Sequence, residues 1–460
     1  MPSAAHSAIV DDHRLREITT CVTRGQGLRA DARFVAAIVL VGIIAGLGGM
    51  CLALLLHAIQ HAAYGYDLGA VVSPESFLQG VTAASPARRV AALTLCGAVA
   101  GVGWWAVYRF GRPLVSVKAA VGETAPGPPM PAVATTAHAL LQIITVALGS
   151  PLGREVAPRE IGALLATRIS SRLALSADET RLVIACGAGA GLAAVYNVPL
   201  GGAVFVLEVL LDTLKPRIVA ASLTVSVIAS TIAWIGLGDV AQYSVPPLHI
   251  DKYLVVASVL TGPMFGVAAY AFRVVARKAV THAAHGWRRI PWSLAVFLVI
   301  GLLATQFPQL PGNGKGPSQL GFDGAIGGGL ALELLFLKLV AVVASLYAGA
   351  AGGVLTPSLT LGALMATALC HVWTPVVPGF SSAGFAIVGG AAFLAASMNM
   401  PLTAILLTLE FTRVSHDFCV PIFLAVAGSI AALRLCAGLG PQTSSSGGRQ
   451  SPGFLPGRRP

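Results

Sequence analysis

Glu155 is the residue of this 460-residue chain whose setting most plainly calls for chemistry. It lies in the run Gly153-Arg154-Glu155-Val156-Ala157-Pro158, inside a long apolar region. Glycine and proline bracketing such a run mark a turn that starts a helix. A helix that starts in apolar surroundings presents unpaired N–H groups and the positive end of its dipole. Anions bind such an end without needing a full positive charge. A second run, Gly353-Val354-Leu355-Thr356-Pro357, has the same build. Together the two aim backbone donors at one spot, which favours an anion over a cation. A carboxylate beside those donors mimics a bound anion, and its protonation sets when it leaves. The plainer alternative is that Glu155 only caps the helix beginning near Pro158, paired with Arg154 or Arg159.

The elements that position these runs come from an internal repeat. Gly187-Ala-Gly-Ala-Gly-Leu-Ala-Ala-Val-Tyr196-Asn197-Val-Pro199-Leu200 resembles Gly389-Gly-Ala-Ala-Phe-Leu-Ala-Ala-Ser-Met398-Asn399-Met-Pro401-Leu402, at an offset of 202 residues from Asn197 to Asn399. Glu208 falls opposite Glu410 at the same offset. Gly162 to Thr167 pairs with Gly362 to Thr367 at 200, and Pro158 faces Pro357 at 199. Any one match is weak in Ala/Gly/Leu-rich sequence, but four in one order make two halves of an ancestral unit. Duplicated halves with Gly/Pro-interrupted helices in corresponding places point to a transport site at the repeat interface.

Composition says where those halves sit. The chain is 55% hydrophobic and only 11% charged, with a mean hydropathy of +0.79. Soluble domains carry about 25% charged residues, so a water-facing surface cannot be covered. Apolar stretches of spanning length recur at Phe34–His57, Val90–Val107, Ile218–Leu237, Leu254–Phe272, around Leu294–Leu303, from Leu330 and at Val420–Cys436. Broken apolar segments lie between them, at about 133–150, 158–170, 182–213, 357–373 and 384–412. The expected fold is therefore an all-α polytopic membrane protein of tilted and broken helices. An ionisable residue at that depth is costly and usually functional, which favours a gating role for Glu155 over simple capping.

The net charge of +11 is scattered between apolar segments rather than clustered, so no nucleic-acid partner is expected. Five arginines between Arg14 and Arg33 precede the first span and place the N-terminal segment, 1–33, in the cytoplasm. The seven cysteines form no CxxC pair and read as small core residues. Residues 441–460 are rich in Gly, Ser and Pro and are expected to be a disordered tail.

On these motifs the chain resembles the CLC family of chloride channels and proton-coupled chloride transporters, over about residues 34–440. The family turn Gly-(Lys/Arg)-Glu-Gly-Pro is similar to Gly153 through Pro158, and its Gly-x-Phe-x-Pro turn to Gly353 through Pro357. Its Asn-x-Pro-Leu segment resembles Asn197 to Glu208, and its Pro-Leu-Thr segment Pro401 to Glu410. The resemblance implies two inverted-topology halves, about 34–240 and 250–438. It implies a homodimer with a pore in each subunit, and chloride bound at helix N-termini near mid-membrane with no other cofactor. A multi-pass protein of a bacterial inner membrane is expected. In the family the glutamate matching Glu155 occupies an anion site and swings away when protonated or displaced.

Several positions depart from the pattern. Glu-Val-Ala-Pro is one residue longer than Glu-Gly-Pro, Val156 replaces a glycine, and Leu355 replaces the aromatic of the second turn. The proton-relay glutamate of the coupled members falls on Val209, with Glu208 matching the acid before it. Valine cannot carry a proton, so passive voltage- or pH-gated chloride conduction is expected. The alternative is exchange of chloride, or another anion such as fluoride, for protons by another path. Glu208 reads as a structural carboxylate, or as a substitute relay after a one-residue rotation. The family's central site maps near Gly111 to Lys118, where Ser116 offers a hydroxyl or Arg112 a charge. Its C-terminal tyrosine maps near Thr443, so either that hydroxyl serves or the central site is open. His138 reads as a satisfied core histidine rather than a proton carrier. No His-Glu-x-x-His or Gly-x-Ser-x-Gly occurs, so neither a metal site nor an enzyme is expected.

Overall fold

Seven of the apolar stretches form helices long enough to cross a bilayer among the described residues: Asp31–Tyr64, Pro86–Phe110, Pro216–Leu237, Lys252–Thr281, Gly286–Gln306, Gly328–Tyr347 and His416–Gly438. The computed structural model describes residues 4–439 except 68, 70, 74, 125 and 374–379, with side chains for 31–371 and 380–438 apart from those positions. Thr443 and the tail 441–460 lie outside the described residues.

The first half holds α1 (Ala4–Tyr64), α2 (Phe77–Ala83), α3 (Pro86–Phe110), α4 (Val117–Val121), α5 (Ala132–Ala147), α6 (Val156–Arg172), α7 (Ala177–Tyr196), α8 (Pro199–Phe205) and α9 (Pro216–Leu237). The second holds α10 (Lys252–Thr281), α11 (Arg289–Gln306), α12 (Lys315–Phe322), α13 (Gly328–Tyr347), α14 (Leu355–Trp373), α15 (Ser382–Met398), α16 (Pro401–Thr412) and α17 (Cys419–Leu439). No strand occurs among the described residues. Packing repeats with the sequence: α1 lies on α9 as α10 lies on α17, and α6 on α7 as α14 on α15. The halves meet through α3 against α11 and α8 against α16. This is an all-α membrane fold of two inverted repeats.

The repeated Asn-x-Pro motif explains its own helix break. Asn197 and Asn399 end α7 and α15 in the left-handed region, at φ 55° and 54°. Asparagine tolerates that conformation better than most residues. Two residues later Pro199 and Pro401 open α8 and α16, where a missing N–H costs nothing. The repeated Gly-Ala-Leu motif sets helix approach instead. A Cβ on Gly162 would lie 2.0 Å from the Gly187 carbonyl oxygen, and one on Gly362 2.3 Å from that of Gly389. Glycine is needed there because backbone meets backbone.

The two repeat carboxylates cross between the halves. Glu208 accepts the Leu402 and Thr403 N–H groups at 3.0 and 2.7 Å, and the Thr403 hydroxyl at 2.7 Å. Glu410 accepts the Leu200 and Gly201 N–H groups at 2.9 and 2.7 Å. Each therefore caps the opening turn of the other half's short helix. Glu410→Ala strips both acceptor bonds, and a cost of about 2 kcal/mol is expected. A lowered unfolding temperature of the detergent-purified protein, matched by Glu208→Ala, would register it; an unchanged one would contradict it.

Candidate functional site

The two bracketed runs meet at one backbone contact. Gly153 N–H donates to the Gly353 carbonyl at 2.7 Å, and Gly353 N–H donates back at 2.8 Å. The pair is an isolated antiparallel bridge on the axis relating the halves. The Glu155 carboxylate lies directly over it. A Cβ on Gly353 would fall 1.8 Å from Glu155 Oε1, and one on Gly153 2.0 Å from Oε2. Glycine at both positions leaves the room the carboxylate fills.

Glu155 occupies the N-cap position of α6 but makes no side-chain bond to that helix. It reaches across to the other half. Oε1 accepts the N–H of Leu355, the first residue of α14, at 2.7 Å. Oε2 lies 3.4 Å from the Tyr196 hydroxyl and 3.5 Å from that of Thr356, which are 3.3 Å from each other. All four residues are buried. The simple capping alternative, with the carboxylate paired to Arg154 or Arg159, does not match this geometry. Arg154 places its guanidinium 5.0 Å over the Tyr196 ring, and Arg159 donates to the Glu155 backbone carbonyl at 2.8 Å.

The extra residue read between Glu155 and Pro158 does not lengthen the turn. α6 begins at Val156 with Pro158 as its third residue, and α14 begins at Leu355 with Pro357 as its third. Helical backbone absorbs the insertion. What the first half has beyond the second is Glu155 itself, between Gly153 and the helix start. Val156 is half-buried, while Ala157, Pro158, Val354 and Pro357 are buried in the walls. The aromatic edge missing at Leu355 comes from Tyr196, which packs 5.4 Å from Phe411. The sequence marks Tyr196 only as an aromatic ring closing an Ala/Gly run just before Asn197.

A cavity of about 200 Å³ reaches three neighbours of the carboxylate, Arg154, Tyr196 and Thr356, and is also lined by His57, Tyr243, Lys315 and Glu75. Arg154 and Lys315 bring positive charge to this lining and Glu75 opposes it. The buried Arg154 Nε and Tyr243 hydroxyl have no protein partner among the described groups. Tyr196→Phe removes one hydroxyl from the seat, and about a fivefold weaker anion affinity is expected. Isothermal titration with chloride checks it, and an unchanged affinity would remove Tyr196 from the site.

Other candidates lie elsewhere. Ser116 caps α4, accepting the Ala119 N–H at 3.1 Å, and Arg112 is exposed. Neither lines the cavity beside Glu155. Both oxygens of Glu208 are occupied by α16, and Val209 packs against the apolar core. Residues 206–210 form a π-helical turn, a feature frequent at functional sites. His138 corrects the expectation of a satisfied core histidine. Its Nδ1 meets Glu160 Oε2 at 2.8 Å, but its Nε2 has no hydrogen-bond partner among the described residues.

The fold and this site define a class: polytopic membrane proteins of two inverted halves with short helix ends meeting at a buried carboxylate. A family model described as voltage gated chloride channel matches residues 90–434, well over half of the chain, and the protein belongs to that family. The fold is similar to the crystal structure of a slow cyanobacterial Cl⁻/H⁺ antiporter, with a TM-score of 0.76, 20% identity, and 88% of this chain and 95% of that one covered. It is similar to a eukaryotic CLC transporter, with a TM-score of 0.68, 17% identity and coverage of 89% and 72%. A CLC-type fluoride/proton antiporter matches at 0.60, 18% identity and coverage of 86% and 95%.

Proposed function

We propose that the protein moves chloride across a bilayer by exchanging the anion with the Glu155 carboxylate at the start of α14. One observation carries this reading: the carboxylate sits on the Leu355 N–H beside two hydroxyls, where a small anion would find the same donors. Protonating Glu155 removes its charge and frees that seat, so anion flux rises as the pH falls through the range where Glu155 takes up its proton.

Two modes of transport have support. Val209 at the expected relay position favours passive conduction gated by voltage or pH. The printed descriptions of two similar structures, Cl⁻/H⁺ and fluoride/proton antiporters, favour exchange with protons. A homodimer in a bacterial inner membrane, with the N-terminus cytoplasmic, fits the family and the basic leader. Chloride efflux from proteoliposomes, with and without a pH gradient, tests the reading. Uphill proton movement driven by chloride would sink the passive mode. Absence of any chloride flux would sink the function itself.

A further inference from the structure

Below Glu155 lies a second buried ionisable cluster that the anion seat does not use. His138 and Gln142 on α5 and Glu160 on α6 are 0%, 0% and 3% exposed. His138 Nδ1 lies 2.8 Å from Glu160 Oε2. Gln142 Nε2 lies 3.0 Å from His138 Nδ1 and 3.3 Å from Glu160 Oε2. Three hydrogen-bonding atoms thus converge on positions where one proton is shared. With that proton the pair is neutral, as His⁺ with Glu⁻ or as imidazole with carboxylic acid. Without it the pair carries one negative charge in a medium that penalises it.

A row of unpartnered polar atoms marks a path. Thr135 Oγ1, His138 Nε2 and Gln142 Oε1 are all buried without a protein partner among the described residues. Their spacing of three and four puts them on one face of α5, spanning roughly 10 Å of its axis. The row starts near the open end of α5, where Val133 is 86% exposed. α5 then runs on to the turn that carries Glu155, and α6 returns from Glu155 alongside it. Glu160 is five residues from Glu155, about 7.5 Å along α6. Buried polar atoms left open in a line are the sites water occupies.

Of the surrounding charges, Arg159 on α6 donates to the Glu155 carbonyl and its positive charge also attracts the Glu160 carboxylate. Tyr108, at the end of α3, has the Arg289 guanidinium 4.1 Å from its ring centroid. α7 brings Arg181, which donates to the Gly122 carbonyl. α1 brings His57 and His61, which face the cavity on the far side of the site. On α4 the ionisable group is Lys118, which has a contact of its own.

We propose that His138–Glu160–Gln142 is an intramembrane proton-binding site that exchanges a proton with Glu155, in place of an acid at position 209. The step balances: the pair gives up one proton and becomes an anion, and the Glu155 carboxylate takes it and becomes neutral. The pair is reloaded through the Thr135 end of α5. This deepens the proposed function, because it names how the gate is charged and discharged. It rests on Glu155 being that gate.

Two measurements separate this inference from the transport reading. The first is an acid–base titration of purified wild type, Glu160→Gln and His138→Asn in unbuffered detergent, counting protons bound. Each variant is expected to bind one proton fewer than wild type within the pH range over which wild-type flux rises, and equal counts within that range would overturn the site. The second is chloride flux against pH in proteoliposomes. Glu160→Gln is expected to shift the pH midpoint of flux by at least one unit, with Glu160→Asp restoring most of the shift. Unchanged midpoints in both variants would overturn the coupling to Glu155. If wild type passes no anion, the transport reading fails while the proton count still judges the site. If neither variant folds, infrared difference spectra of Glu155→Gln on acidification are expected to show a buried carboxyl or an imidazolium band; the absence of both means no such site.

Discussion

Glu155→Gln is expected to give chloride transport that no longer depends on pH, with tighter chloride binding at neutral pH. Glutamine fills the same volume but cannot present a charge to the α14 N-terminus. The wild-type carboxylate holds the Leu355 N–H at 2.7 Å and stands beside the Tyr196 and Thr356 hydroxyls. Hydrogen bonds to a charged partner contribute about 1.5–3 kcal/mol each. Removing one such competitor corresponds to roughly a ten- to hundredfold gain in anion affinity. Calorimetric titration with chloride reads the affinity, and liposome flux across a pH series reads the gate. Retained pH dependence in Glu155→Gln would remove Glu155 from the gating role.

Gly162→Val has the largest expected effect on folding. The added Cβ would lie 2.0 Å from the Gly187 carbonyl oxygen and 2.8 Å from its carbon. Neither atom belongs to a flexible side chain, so α6 and α7 must separate along their crossing. Overpacking in a tight core costs about 1–3 kcal/mol, and backbone contact of this kind lies at or beyond the upper end. Because α6 opens at the Glu155 turn, the shift is carried into the anion seat. The variant is expected to yield little monodisperse protein, whereas Leu165→Val on the half-buried face is expected to behave as wild type. Size-exclusion profiles after membrane extraction compare them. A well-folded Gly162→Val would refute the close-crossing account.

Much of this was legible from residues alone, for identifiable reasons. The offsets of 199 to 202 residues exposed the repeat because both halves need the same glycine crossings and the same Asn-x-Pro breaks. Glu155 was legible because a carboxylate between Gly153 and Pro158 has few bland explanations. Its actual partners were not. Leu355 N–H is a backbone group, and Tyr196 sits 41 residues away in the chain. Glu160 carries no mark of its own, since nothing along the sequence brings it to His138, 22 residues earlier. The capping bonds of Glu208 and Glu410 span 194 to 210 residues, a distance at which pattern gives a symmetry but no contact.

The one-residue difference between the two turns has a consequence for direction. An inverted repeat, left to itself, looks the same from either face of the membrane, and a device built that way would have no preferred sense. The halves here meet at the Gly153–Gly353 contact, and there the first half sets a carboxylate before its helix start where the second sets none. That acid belongs to one half and is seated on the other. Sidedness therefore enters the molecule as a broken mirror at its centre, one latch where perfect duplication would have set two or none.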